Sequence, residues 1–222
     1  MRHRPAIERP PTSRAFVDEA LGELRRSRWR PGAWAGFLWR CGTRSAEQAR
    51  THPLAALEDT VLHAGLGLLG GQSRLRLASS WGLAMTHLGL LGSQRRSIGL
   101  PNVLSLLRAN LPTNRWAPLV AVGTDLADGW LARLTTPTAF GAYADPLADL
   151  VFWTRHASTR EPSRVARAGI AAIWLLPFAA IVTTYFAAGR AVDYPRPLLV
   201  RRLSAGLQGL LAARALTGCS KE

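Results

Sequence analysis

Four aspartates in an otherwise apolar stretch are the residues of this sequence best suited to chemistry. They are the only acidic residues between positions 60 and 160: Asp125, Asp128, Asp145 and Asp149. A charged side chain at the centre of a membrane costs about 3 kcal/mol, so such residues are rare there and are usually paired or functional. The pattern favours a functional carboxylate cluster. The structural alternative is a set of acids paired with arginines at helix ends.

The spacing of the four acids predicts a helical hairpin. Asp125 and Asp128 are three residues apart, and Asp145 and Asp149 are four apart, so each pair shares a helix face. The sequence Thr-Thr-Pro at 135–137 predicts a turn between the pairs. Four close carboxylates cannot all stay ionised without a counter-charge. Divalent Mg²⁺, Mn²⁺ or Ca²⁺ prefers carboxylate oxygen, and a pair of such ions is common in phosphoryl chemistry.

Small residues beside the acids predict room for a ligand. Gly129 and Ala132 follow the first pair, and Gly141 precedes the second by one turn. Arg133 lies within reach of the same region and is suited to pairing with a phosphate. The alternative is that the small residues only allow close helix packing.

The elements that must position these residues are predicted to be helices, because no segment alternates with period two. The clearest membrane span is 168–189, which carries no charge and includes Pro177 as a predicted kink. A last apolar helix is predicted at 198–217. Residues 54–71 and 77–93 are apolar but close to the lower length limit of a spanning helix. They are therefore predicted to be short spanning helices, interfacial helices or buried helices. Pro112 and Asn114 predict a break within 101–124.

Residues 1–53 form a polar, Arg-rich extension with interleaved Trp29, Trp34 and Trp39. Such a segment either lies on an anionic membrane surface or forms a solvated cytosolic extension. It has no continuous apolar run, so no cleavable signal peptide is expected. The chain carries a net charge of +14, almost entirely from arginine. We interpret this arginine excess as a compositional bias and expect no nucleic-acid binding.

Residues 125–149 read DLADGWLARLTTPTAFGAYADPLAD. This segment resembles the signature of the CDP-alcohol phosphotransferase (CDP-alcohol phosphatidyltransferase) family, D-x2-D-G-x2-A-R-x8-G-x3-D-x3-D. Every specified residue is present, but Arg133 and Gly141 are separated by seven residues instead of eight. The preceding PNVLSLLRANL also resembles the start of the first family helix, with Asn102 and Arg108 at familiar positions. Only 16 residues separate Arg108 from Asp125, where the family usually has a complete helix hairpin.

The resemblance implies an all-α, polytopic membrane bundle of about six helices, preceded by the Arg-rich extension. We divide the chain into that extension (1–53), apolar helices of open role (54–98), the phosphotransferase-like membrane domain (99–217) and a tail (218–222). The family resemblance further implies a multi-pass protein of the cell membrane with its active site facing the cytoplasm, and a homodimer.

The activity implied is transfer of a phosphoalcohol (phosphatidyl) group from a CDP-linked lipid donor to an acceptor alcohol, releasing CMP, in phospholipid biosynthesis. By resemblance, two Mg²⁺ or Mn²⁺ ions would be held by Asp125, Asp128, Asp145 and Asp149. Asp149 would also be the general base. The CDP site would be formed by Asp128, Gly129, Ala132, Arg133 and Gly141. The acceptor stays open among glycerol phosphate, inositol phosphate, a second lipid and others.

Two other functions compete with this one. A catalytically weak or silent relative would keep metal and nucleotide binding as a structural or regulatory membrane protein. The shortened Arg133–Gly141 spacing and the short interval between Arg108 and Asp125 motivate it. A divalent-cation transporter would use the same intramembrane acids. A basic set follows the motif and fits either the positive-inside rule or attraction of an anionic acceptor; its members are Arg155, Arg160, Arg164 and Arg167.

Overall fold

The computed structural model of the chain describes residues 13–93, 95–135, 137–190 and 198–216. Within these ranges it contains nine α-helices, one 3-10 helix and no strand, which confirms the all-α prediction for this part of the chain. Positions 1–12 of the extension, Thr136 and the predicted 218–222 tail lie outside the described residues.

The helices follow one another with short connections. Their bounds are α1 Ser13–Arg26, α2 Pro31–Thr51, α3 Pro53–Leu68, α4 Arg74–His87, the 3-10 helix Leu88–Leu91, α5 Leu100–Ala109, α6 Ala117–Leu134, α7 Ala139–Arg160, α8 Arg164–Ala188 and α9 Leu198–Leu216. The predicted break around Pro112 separates α5 from α6, and the predicted turn separates α6 from α7.

The α6–α7 hairpin carries the four aspartates, and local sequence sets its turn. Thr135 follows α6 in an extended conformation that ends the helix. Thr138 is the N-cap of α7, where its hydroxyl accepts a hydrogen bond of 3.0 Å from the backbone N–H of Gly141. Helix α5 lies against both arms of the hairpin. The 16 residues between Arg108 and Asp125 hold only the α5–α6 connection and the first half of α6, with no extra hairpin.

Two buried clusters hold the bundle together. The first joins α6, α7, α8 and α9 through Ala121, Trp153, Trp174 and Leu211. The second joins α3, α4 and the 3-10 helix to α5 and α7; its buried members are Ala55, Ala56, Ala84, Leu88, Leu91, Ile98, Leu106 and Phe140. Residues 54–98, whose role the sequence left open, thus pack directly against the helices of the motif.

Helix α8 is the one helix in the described ranges that has the length and composition of a membrane span. Only 11% of its most apolar 18-residue stretch is buried. This agrees with the span predicted at 168–189. Nine described α-helices replace the predicted six or so, partly because the extension itself contributes α1 and α2. The polytopic six-helix bundle is therefore not confirmed.

The N-terminal extension packs on the C-terminal end of α8. A guanidinium nitrogen of Arg25 donates a 2.9 Å hydrogen bond to the Ala188 carbonyl, which satisfies a carbonyl left open by the helix end. The rings of Trp29 and Trp34 lie 5.4 and 5.8 Å from that of Phe186, between centroids. Two of the three tryptophans therefore contact the protein itself, whereas Trp39 is 75% exposed.

We expect Leu88→Ala to lower the free energy of unfolding by about 2–5 kcal/mol, because it opens a cavity between the 3-10 helix and the motif helices. Leu88 is fully buried in the second cluster. The measurement is thermal and denaturant unfolding in detergent. Leu68→Ala is the matched control, since Leu68 is 90% exposed and should change little. Equal stability of both variants would contradict the packing described.

Candidate functional site

One buried arginine of α5 contacts all four aspartates of the hairpin. The side chain of Arg108 is fully buried. Its NH1 lies 3.2 Å from Asp125 Oδ1 and 3.0 Å from Asp128 Oδ2, and its Nε lies 3.0 Å from Asp149 Oδ1. Its NH2 also donates to Asp145. The two acid pairs therefore face each other across a single guanidinium.

Two further polar side chains, one on α5 and one on α9, hydrogen-bond to the acids. The Ser105 hydroxyl, one turn before Arg108 on α5, donates a 3.1 Å hydrogen bond to Asp128 Oδ2. On α9, the Gln208 amide donates a 3.2 Å hydrogen bond to Asp149 Oδ2. Asp128 and Asp149 are buried, whereas Asp125 and Asp145 are partly exposed. The site is therefore partly open at Asp125 and Asp145, whereas Asp128 and Asp149 are buried and held by hydrogen bonds.

The donor set fits hard divalent cations. Carboxylate oxygens of Asp125, Asp128 and Asp145 all lie within 4.8 Å of one another. If the four acids are ionised, Arg108 offsets only one of four negative charges. The remaining negative charge requires further cations, and Mg²⁺ and Mn²⁺ prefer carboxylate oxygens as ligands. Asp149 lies close to these three aspartates, because it contacts the same Arg108 side chain.

A cavity of about 220 Å³ adjoins the acids at the α6–α7 turn. Asp128 and Asp145 line it together with Gly129, Ala132 and Gly141. Four of the five residues predicted for nucleotide binding therefore share one cavity. Arg133 does not line the cavity. Its NH1 lies 3.7 Å from the position that a Cβ on Gly129 would occupy. The cavity has further lining residues that the prediction left out: Arg95, Pro101, Asn102, Ser105, Thr135, Pro137, Thr138 and Ala142.

Gly141 is required by close packing of α7 on α5. A Cβ at this position would lie 2.6 Å from Asn102 Oδ1. The Asn102 amide is itself held, because it donates hydrogen bonds to the Ile98 carbonyl at 2.6 Å and to the Thr138 hydroxyl at 3.2 Å. Gly141 therefore lets the N-terminal end of α7 approach α5 at the mouth of the cavity.

No role in the site was predicted from the sequence for Arg108, Ser105 or Gln208. A signal for Arg108 was present, since it is the only charged residue between positions 97 and 114. A lone arginine in an apolar helix needs a carboxylate partner. Gln208 had no comparable signal, because its contact with Asp149 joins helices far apart in the sequence.

The basic set that follows the motif lies at the other end of the bundle from the cavity. The cavity is lined by Pro137 and Thr138, at the N-terminal end of α7. Arg155 and Arg160 lie near its C-terminal end, and Arg164 and Arg167 begin α8. A helix of 22 residues is about 33 Å long. These arginines therefore do not mark the side of the membrane toward which the cavity opens.

Comparison with known proteins supports the family predicted from the motif. Residues 95–197, just under half of the chain, match the family model described as CDP-alcohol phosphatidyltransferase. No curated protein and no solved structure gives a significant match. The matched range runs from just before α5 to just beyond α8, so it includes Arg108 and all four aspartates.

We expect Gly141→Ala to destabilise the protein by about 1–3 kcal/mol, because the added methyl group must displace the Asn102 amide. The change should also weaken binding of any ligand in the adjoining cavity. Gly123→Ala on α6 is the matched control, since nothing lies within 4 Å of its added Cβ. Thermal unfolding of both variants tests this. A Gly141→Ala protein as stable as Gly123→Ala would refute the close approach.

We expect Arg108→Gln to lower the stability of the metal-free protein by about 3–5 kcal/mol, because it leaves buried carboxylates without their cation. Mg²⁺ should then raise the midpoint of thermal unfolding more than it does in the unmodified protein. Unfolding with chelator and with Mg²⁺ measures both effects, and the exposed Arg96→Gln serves as control. Stability in chelator equal to that of the control would remove Arg108 from this role.

Proposed function

Because residues 95–197 match the model of the CDP-alcohol phosphatidyltransferase family, we propose that this protein transfers a phosphoalcohol group from a CDP-linked lipid donor to an acceptor alcohol and releases CMP. The reaction belongs to phospholipid biosynthesis. The observation that carries the proposal is the convergence of four carboxylates on one buried guanidinium, beside a cavity lined by Gly129 and Gly141.

The donor's cytidine diphosphate is proposed to occupy this cavity. Gly129, Ala132 and Gly141 present little side chain, so the nucleotide can approach the backbone of both motif helices. Asp128 and Asp145 belong both to the cavity lining and to the acidic cluster, so the diphosphate would lie at that end of the cavity. Arg133 would contact the phosphates only after its side chain turns from its present place beside Gly129.

Asp125, Asp128, Asp145 and Asp149 are proposed to hold two Mg²⁺ or Mn²⁺ ions. Bound cations would neutralise the diphosphate and stabilise the charge on departing CMP. Arg108 is proposed to keep the four carboxylates together before the ions bind, since it contacts each of them. Family members depend on divalent metal, and the carboxylate trio described above is suited to it.

Asp149 is proposed as the general base. One of its oxygens lies 3.0 Å from Arg108 Nε, and the other accepts the hydrogen bond from Gln208. The acceptor hydroxyl would give its proton to Asp149 while its oxygen bonds to the phosphorus that carries the alcohol group. The bond from that phosphorus to the bridging oxygen breaks, and CMP leaves with that oxygen.

A bilayer location follows from the apolar surface as well as from α8. Family members are membrane proteins, and large apolar side chains are exposed on α6 and α9 in addition to α8; examples are Val120, Leu126, Leu134, Leu199, Leu203 and Leu210. A soluble monomer rarely exposes so much apolar surface. We therefore propose a multi-pass protein. Two of the three charged residues that lower the mean hydropathy of α6, Asp125 and Asp128, contact Arg108.

The proposed cytoplasmic opening of the cavity rests on the donor, because CDP-linked donors are made in the cytoplasm. It does not rest on the arginines near the α7–α8 connection, which lie at the other end of the bundle. The homodimer stays a prediction from the family.

The geometry favours an enzyme over the two alternatives. The shortened Arg133–Gly141 spacing motivated a silent relative, yet Gly141 lines the same cavity as Asp128 and Gly129. The missing residue therefore leaves the cavity assembled. A cation transporter would use the acids but has no need of the glycine-lined cavity beside them.

We expect purified protein in lipid to release CMP from CDP-diacylglycerol when Mg²⁺ or Mn²⁺ and one alcohol from an acceptor panel are present. Asp149→Asn should lower the rate by about 10²-fold or more, because it removes the base. Glu47→Gln is the control, since Glu47 is an exposed acid on α2. Metal-dependent CDP binding without turnover would support the silent relative. Metal flux without nucleotide dependence would support the transporter.

A further inference from the structure

A second cavity lies on the other side of α5 from the acidic site. It measures about 170 Å³ and is almost entirely apolar. Helices α4, α5 and α7 line it, with Leu83, Leu106, Leu147 and Val151 among its walls. Along α5, Ser105 and Arg108 face the aspartates, whereas Leu106 and Ala109 face this groove. The helix therefore separates the groove from the carboxylates.

The end of the groove where α4 begins and α5 stops carries a charged side chain, whereas His87 and Tyr143 line the opposite end. Arg76 and Ser80 on α4 line it there, together with Asn110, which follows α5 directly. Pro101 and Asn102, which line the nucleotide cavity, lie at the opposite end of α5. Ten residues of helix correspond to about 15 Å. The charged end is thus remote from the proposed nucleotide position.

Buried polar atoms at this end have no partner within the described residues. Nε and NH2 of Arg76 and Oδ1 of Asn110 are buried and form no hydrogen bond. Arg76 also forms no ion pair in the described part of the chain. A buried donor without a partner costs about 1–3 kcal/mol, and more when it is charged. An arginine in this position is therefore expected to bind an anion from outside the chain.

The surroundings of Arg76 add positive charge. Arg155 on α7 lies close enough for its charge to interact unfavourably with that of Arg76. Arg155 donates a 2.8 Å hydrogen bond to the Leu111 carbonyl, which fixes it near the end of α5. The nearby buried acid, Asp59, is paired instead with His63, whose Nδ1 lies 3.0 Å from its Oδ1. An anion would relieve the repulsion between the two arginines.

The remaining polar groups of this end are held in place. The Asn110 amide donates a 2.9 Å hydrogen bond to the Ser80 hydroxyl, which also lies 2.9 Å from His63 Nε2. Asp59 supports His63 from the other side. The side chains therefore need little ordering when a ligand binds, so less of the binding energy is lost.

We propose that this groove binds one anionic phospholipid, separate from the substrates of the transfer reaction. Its phosphodiester would accept hydrogen bonds from the guanidinium of Arg76, whose side chain is only partly buried and lines the groove. An acyl chain would lie along Leu106, Leu147 and Val151. A lipid fits better than a free anion, because the groove beyond the charged end is mostly apolar and its wall residues Leu83 and Val151 are 46% and 38% exposed.

The test compares Arg76→Gln with Arg74→Gln, which removes the same charge two residues away on an exposed position of α4. Binding of phosphatidylglycerol and phosphatidylcholine to detergent-purified protein is measured by native mass spectrometry, with thermal unfolding in parallel. We expect the unmodified protein and Arg74→Gln to prefer phosphatidylglycerol by about tenfold. Arg76→Gln should lose this preference.

A second readout distinguishes a binding role from a structural one. Arg76→Gln removes a partly buried charge that has no ion-pair partner within the described residues, so its stability in phosphatidylcholine should be unchanged or higher, and only the stabilisation by phosphatidylglycerol should disappear. Val151→Trp should block the apolar groove and also abolish the preference while Arg76 is retained.

Three outcomes would overturn the proposal. One is an unchanged preference in Arg76→Gln. Another is equal destabilisation of Arg76→Gln in both lipids, which would make Arg76 structural. The third is an Arg76-dependent stabilisation by inorganic phosphate that matches that by phosphatidylglycerol, which would show an anion site without lipid selectivity. None of these outcomes depends on CMP release, so the transfer reaction is tested separately.

Discussion

The contact between one guanidinium and four carboxylates is the interaction on which the rest of this structure depends. Arg108 is fully buried and touches acids from both arms of the α6–α7 hairpin. Four carboxylates would otherwise repel one another and drive the arms apart. A single positive charge is enough to gather them, yet it leaves a negative excess suited to divalent cations. The same interaction therefore supports both folding and the proposed chemistry.

Bringing Arg108 to this position constrains the neighbouring elements. Helix α5 has only ten residues and must lie against α6 and α7 at once. Gly141 makes that approach feasible at one end of α5, because any larger residue would meet Asn102. On the other face, Leu106 packs into the cluster formed with α3, α4 and the 3-10 helix. Residues 54–98 thus support the helix that carries the central arginine.

The surface is more apolar than that of a typical soluble protein, although the interior also holds two apolar clusters. Arg108, Asp128 and Asp149 are buried, and many leucines and valines are exposed. Such an arrangement is stable where lipid replaces water around the helices. The mean hydropathy of α6 and α7 does not show this apolar outer surface, because the charged residues of these helices lower the average. Among the helices in the described ranges, only α8 has the composition of a membrane span, and it contributes no acid to the site.

The sequence alone determined the all-α class, the hairpin and the clustering of the four aspartates. Spacings of three and four residues place side chains on one helix face whatever the tertiary context, and the turn residues separate the two pairs. The family followed from the same fixed spacings. Helix number was less accessible, since short apolar segments such as 77–93 have the same composition whether they span a membrane or pack inside a bundle.

Only the tertiary structure decided which partners these residues have. Arg108 precedes the first aspartate by 17 positions and Gln208 follows the last by 59, and no periodicity connects residues that distant. The placement of the arginines near the α7–α8 connection likewise depends on the direction in which α7 runs from the cavity. Whether Arg76 faces solvent or a buried groove depends on how α4 packs against α5 and α7. Local spacing acts through the geometry of a single helix, whereas these contacts arise from packing between helices, which spacing along the chain does not encode.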